Sequence, residues 1–192
     1  MRYRTMGNFY ANYTLRGPSP QMVAAALAGH AAVVTPPENG CVVVFAEEAE
    51  QDPEVFVDLA VRLARELDCP VLAVLNHDDD VLAYHLCLGG DLVDGYVSTP
   101  GYFDPSAEHS DPEGGDARRL CEAFEAGDVA AVEKILRRSP FGADGYALAV
   151  ERHADLARTL GISSFAVGAG YAYVSRGELP EGLDEQALIR VT

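Results

Sequence analysis

Two helix starts marked by proline, Ser19-Pro20 and Asp52-Pro53, bracket a hairpin signal, and that order constrains the fold of this chain more than any other feature. In each pair a short polar side chain can accept the first free backbone N–H groups of a helix. Proline then occupies the first helical position, where no donor is needed. Ahead of the first pair, NFYANYTLR (8–16) is rich in the aromatic and β-branched residues of a strand. A helix over about 20–28 follows, stopped by Gly29. HAAVVTP, the turn PENG and CVVVFAE read as a hairpin. After Asp52, Val55, Phe56, Leu59, Ala60, Leu63, Ala64 and Leu67 recur at helical spacing, while Asp58, Arg62, Arg65 and Glu66 take the other face. CPVLAVL is short and wholly apolar, which predicts a buried central strand.

Strand, helix, two hairpin strands, helix, strand is the split βαβ order. It predicts an α+β fold of ferredoxin-like type, an antiparallel sheet with two helices on one face. Two more strands extend the sheet as a β-meander. A tight turn at Gly89-Gly90 sets Leu88 opposite Asp91, Leu86 opposite Val93, Tyr84 opposite Gly95 and Leu82 opposite Val97 on one face. On the other face it sets Cys87 opposite Leu92 and His85 opposite Asp94. Residues 1–98 thus form a sheet unit, and the proline-rich, acidic stretch 99–115 reads as a loop or linker. Residues 116–192 read as three helices, with Asp116 and Asp128 as caps and Gly127 and Gly161 as stops, followed by a strand near 171–175. A helical unit of that length has a marginal core alone, so both parts are expected to pack together.

Charge narrows the choice of partner. The chain has 192 residues, with 30 acidic against 14 basic and a formal charge of −16. Such a field repels phosphate backbones and anionic lipid, so neither nucleic acid nor a membrane is an expected partner, whereas a basic protein is. All the basic residues except Lys134 are arginine, and Ala, Gly, Val and Pro abound, a composition expected of a GC-rich bacterial genome. Cys41, Cys69, Cys87 and Cys121 form no CxxC pair and sit in or beside apolar runs, as reduced core thiols do. No stretch of about 18 apolar residues occurs, and the first residues lack an apolar run, so a cytoplasmic location is expected.

Candidate chemistry gathers after Pro70. His77-Asp78-Asp79-Asp80 offers carboxylates at alternate positions, Asp78 and Asp80, which a loop can aim at one hard cation with His77 beside them. Ca²⁺ or Mg²⁺ is the implied ion, although the glycine and closing glutamate of an EF-hand are missing. His85 lies about 17 Å along an extended strand from Asp80, too far to share that ion. Opposite Asp94, it instead forms a candidate base oriented by an acid. Tyr102, Phe103 and Asp104 leave the sheet at the same end as the aspartates and form a candidate binding wall. Neither a nucleophile elbow nor a phosphate-binding loop is present, and GAG at 168–170 lacks a strand before it. The resulting expectation is an acidic binding or regulatory protein without catalysis, of the immunity or antagonist kind. The alternative is a metal-dependent hydrolase or transferase built on Asp78 and Asp80.

Overall fold

A computed structural model of the chain describes residues 7–102, 104, 111–139 and 144–192. Its first half runs β1 (Tyr10–Arg16), α1 (Pro20–Ala26), β2 (Ala32–Val34), β3 (Cys41–Ala46), α2 (Glu47–Gln51), α3 (Pro53–Glu66) and β4 (Val71–His77). The meander strands are β5 (Val81–Leu88) and β6 (Asp91–Val97). Then come β7 (Glu113–Gly114), α4 (Ala117–Phe124), α5 (Val129–Arg137), α6 (Ala149–Leu160), α7 (Tyr171–Val174) and β8 (Ile189–Val191). The fold is α+β, with one open antiparallel sheet of eight strands in the order β7-β6-β5-β4-β1-β3-β2-β8. Within it β3 separates β1 from β2, and β1 separates β3 from β4.

The helix starts sit where the capping chemistry puts them. The Ser19 hydroxyl accepts from the Met22 N–H, and the Asp52 carboxylate accepts from the N–H groups of Glu54 and Val55. Asp116 and Asp128 cap α4 and α5 in the same way. Gly161 closes α6 at φ 61°, a left-handed position that costs glycine nothing. α1 and α3 cover one face of the sheet. There Val23, Leu27, Phe56, Leu59, Ala60 and Leu63 meet Tyr13, Leu15, Val42, Val44, Val71 and Ala73.

The second face is covered as well. Leu120, Phe124, Val132, Leu136, Leu156 and Leu160 of α4, α5 and α6 pack on Leu72, Val74, Leu82, Tyr84, Leu86 and Tyr96. Toward β2, the residues Phe165, Ala166, Val174 and Leu183 pack on Val33, Val43 and Phe45. Two sequence expectations need correcting here. The strand expected at 171–175 is the helix α7, and the terminal strand is β8, which pairs with β2. Part of the expected linker is β7, an edge strand on Tyr96 and Val97. The four cysteines are free and buried. Among the described residues no helix is long and apolar enough to cross a membrane.

A buried arginine holds the second layer together. Arg152 is 1% exposed, and its guanidinium donates to the carbonyl oxygens of Ile135, Leu136 and Arg138 and to the Tyr96 hydroxyl. It lies against the Tyr146 ring, 4.6 Å from the centroid. These carbonyls end α5, so the cation sits at the negative end of that helix. Lysine carries one compact ammonium and cannot span four acceptors. Arg152→Lys is therefore expected to lower stability by about 2 kcal/mol in urea unfolding.

Its neighbour His153 is fully buried and stacks on Tyr10, whose hydroxyl lies 2.7 Å from Nδ1, while Nε2 has no hydrogen-bond partner among the described residues. Burial holds the ring neutral and pulls its pKa from 6.5 down to about 4. An unfolded chain takes up this proton first, so the contribution is complete above about pH 6.5 and is lost as pH falls toward 4. His153→Gln removes that dependence. Between pH 7 and pH 4 the variant is expected to lose about 3 kcal/mol less than the native chain in paired urea titrations.

Candidate functional site

The β4–β5 connection is a tight turn in which Asp78 and Asp79 both take left-handed backbone conformations, at φ 53° and 60°. Aspartate tolerates that region better than most side chains. The turn directs Asp79 inward and leaves Asp78 and Asp80 at the rim. Asp79 Oδ1 accepts from Asn76 Nδ2 at 2.8 Å and Oδ2 accepts from the Asn8 N–H at 3.1 Å. Its N–H donates to Asn76 Oδ1, and its carbonyl oxygen accepts from the Ala149 N–H, the first residue of α6, at 2.6 Å. Asp79 thus ties the start of β1, the end of β4 and the beginning of α6 to one residue.

Around this anchor the exposed groups form a rim. The Tyr102 hydroxyl donates to Asp80 Oδ2 at 2.8 Å, and the Thr99 hydroxyl donates to the Asp80 carbonyl oxygen. His77 Nε2 stands 3.7 Å from Asp78 Oδ2, with its ring edge-on to Phe9 on one side and to Tyr102 on the other. Leu148, which precedes α6, is brought beside Asp79 by the Ala149 hydrogen bond. Tyr102 is 39% exposed and Leu148 45%, and both rank among the large apolar side chains the fold leaves uncovered.

The structure thereby brings His77, Asp78, Asp80 and Tyr102 together at one sheet end. Asp104 closes a turn onto the Gly101 carbonyl and is exposed, while Phe103 lies outside the described residues. As a cation site the set is sparse. Ca²⁺ takes about six to eight oxygens, whereas here one Asp80 oxygen already holds a phenol and both Asp79 oxygens are taken. Among the described residues no group of three or more His, Cys, Asp or Glu side chains is arranged to hold a metal ion.

His85 and Asp94 are not opposite one another, which corrects the expected register. Cys87 pairs with Leu92 as expected, but Leu86 pairs with Asp94 and His85 with Gly95, so Val93 is an extra residue in a β-bulge. A shift of one position sends a side chain to the other face. His85 lies on the α3 side near Phe56, its buried Nδ1 has no hydrogen-bond partner among the described residues, and burial lowers its pKa. Gly95 makes room for it, since a Cβ there would lie 3.4 Å from Nδ1. Asp94 works on the second face, where Oδ2 accepts from the Tyr84 hydroxyl and from the Asp116 N–H, both at 2.8 Å. It tethers the start of α4, on the face away from His85.

Sequence reasoning passed over two residues of this region. Alternate spacing favours Asp78 and Asp80 over Asp79, and only the left-handed turn shows which carboxylate points inward. Leu148 carries no local signal, because it arrives from a helix start some 70 positions later in the chain. No family model, curated protein or solved structure matches this chain. The division of labour in the turn predicts unequal mutants. Asp79→Ala is expected to cost about 2 kcal/mol by thermal or urea unfolding, because the Asn8 N–H and the Asn76 amide lose the carboxylate they share, while the backbone bond to Ala149 remains. Asp78→Asn and Asp80→Asn are expected to stay within about 0.5 kcal/mol of the native chain.

Proposed function

We propose that this chain is a non-catalytic acidic binding protein, of the immunity or antagonist kind, whose rim of Asp78, Asp80, His77, Tyr102 and Leu148 receives a basic protein partner. The supporting observation is that two exposed large side chains lie next to the aspartate turn, Tyr102 bonded to Asp80 and Leu148 preceding the Ala149 N–H that donates to Asp79. An aromatic and an aliphatic anchor among carboxylates match a protein contact, in which apolar burial supplies affinity and charge supplies orientation. Asp79 locks the turn from beneath, so little ordering is left to be done on binding. The charge of −16 speeds encounter with a cationic partner and disfavours nucleic acid and anionic membranes. In this reading His85 and Asp94 are structural.

The test uses an arginine- and lysine-rich peptide as probe, followed by amide chemical shifts of the labelled protein at low and moderate salt. The shifts are expected to cluster at residues 77–80, 102 and 148 and to weaken as salt rises through about 0.3 M. The combined variant Asp78→Asn, Asp80→Asn and Tyr102→Ala is expected to keep its unfolding transition and lose those shifts. Perturbations spread evenly over the acidic surface, or undiminished in the variant, would show that the rim is not the contact.

A further inference from the structure

We propose that residues 1–6 of this chain, MRYRTM, occupy the aspartate rim, with Arg2 and Arg4 set on Asp78 and Asp80, so that a basic partner has to displace them. The displacement rests on the binding role proposed above, whereas the occupation itself does not. Residues 1–6 lie outside the described residues. What points to the rim is the place where the described chain begins, together with charge.

Traced backward from β1, the chain runs along the aspartate turn toward its tip. Phe9 stands edge-on to His77. Asn8 is bonded to Asp79 in both directions, its N–H donating to Oδ2 and its carbonyl oxygen accepting from the Asp79 N–H. Gly7 lies so close to Asp78 that a Cβ would overlap the Asp78 carbonyl group, and glycine alone avoids that overlap. The segment is therefore delivered beside Asp78 by a fixed path. Six residues reach about 20 Å when extended, and Asp78 and Asp80 are at most about 7 Å apart along the turn. The whole rim is within that reach.

Charge selects the rim from the surfaces nearby. The 30 acidic residues of the chain all lie beyond residue 6, while Arg2 and Arg4 are two of its 14 basic ones. Among the described residues neither Asp78 nor Asp80 has an arginine or lysine partner. The Asp78 carboxylate meets the His77 ring, and that of Asp80 the Tyr102 hydroxyl. Alternate residues of an extended segment project to one side, so Arg2 and Arg4 can meet two carboxylates at once. The exposed Tyr102 ring offers a face on which a guanidinium can rest. Exposed ion pairs are weak one by one, and a free hexapeptide of this sequence would hold the rim poorly. A short tether changes that, because it keeps the segment near its target at an effective concentration of about 1 mM or more. Contacts of millimolar strength then keep the rim covered for about half the time or longer.

Variants of the full chain test this without removing any part of the fold. In Arg2→Gln with Arg4→Gln, the amide resonances of residues 77–80 and 102 are expected to move from their native positions before any ligand is added. That difference is expected to fade as salt rises through about 0.3 M. Glu47→Gln with Glu48→Gln, which removes two exposed carboxylates from α2, is expected to leave those resonances in place. Titration with the arginine- and lysine-rich peptide adds a second arm, in which the arginine variant is expected to bind at the rim at least about twofold more tightly than the native chain. Identical rim resonances in the native and arginine-variant chains overturn the occupation, whatever the peptide does. Moved resonances with equal peptide affinity overturn the displacement. A peptide that binds neither chain at the rim removes the binding role, while moved resonances still uphold the occupation.

Discussion

Burial of β1 on both faces is the constraint from which the rest of the structure follows. Ala11, Tyr13 and Leu15 are fully buried toward α1 and α3, and Tyr10, Asn12 and Thr14 are fully buried on the opposite side. An antiparallel sheet can leave one face to water, but a central strand with no exposed side cannot. The helices α4, α5 and α6 and the segment from Phe165 to Leu183 supply the missing cover. The cover is fastened by polar groups, because a second apolar layer alone would not fix its own position. Asn12 Nδ2 donates to the carbonyl oxygens of Ala166 and Ala169, the Tyr10 hydroxyl meets His153, and Glu38 accepts from the Ser163 and Ser164 hydroxyls and the Ser164 N–H. Each such contact joins segments more than a hundred residues apart, and those of Asn12 and Tyr10 are buried, so that breaking either leaves an unpaired polar atom.

What the sequence made legible is what is decided locally. Helix starts at Pro20 and Pro53, the caps Asp116 and Asp128, and the meander turn at Gly89-Gly90 depend on a few adjacent residues, and the structure has them in place. Features decided at a distance were not legible. Tyr171 and Tyr173 alternate as strand residues do, yet Gly170 lies so close to Glu50 that a Cβ would overlap its carboxylate, and the chain turns there into α7. The Val93 bulge has no motif of its own. Gly95 is its one trace, and a strand glycine marks either a bulge or a close approach.

The candidate site divides the same way. Placing the aspartates and Tyr102 at one end of the sheet required only strand directions, and the Tyr102–Asp80 hydrogen bond follows from that placement. Assigning roles among the three aspartates required the sign of φ, which no spacing reveals. The His85–Asp94 pairing failed for the opposite reason, since it demanded a register correct to one residue across a strand pair. A dyad inferred from facing strands inherits every uncertainty in the pairing, whereas a cluster inferred from one turn does not.

The acidic rim and the basic end of α5 are joined by one short segment. Asp144 and Gly145 border Lys134 and Arg138, Tyr146 carries Arg138 and Arg152 on its ring, Leu148 is exposed, and Ala149 donates to the Asp79 carbonyl. Tyr146 is held further by its hydroxyl, which donates to Asp155 Oδ2 on α6 at 2.7 Å. Opposite charge is therefore separated along six residues, with a buried aromatic ring and a buried arginine between the two ends. Neither Tyr146 nor Arg152 is a clean probe of either surface, because removing one disturbs the support of both. Arg138 rests on the Tyr146 ring and belongs to that shared support, whereas Asp78 and Asp80 at the other end bond to neither Tyr146 nor Arg152 and can be changed without disturbing it.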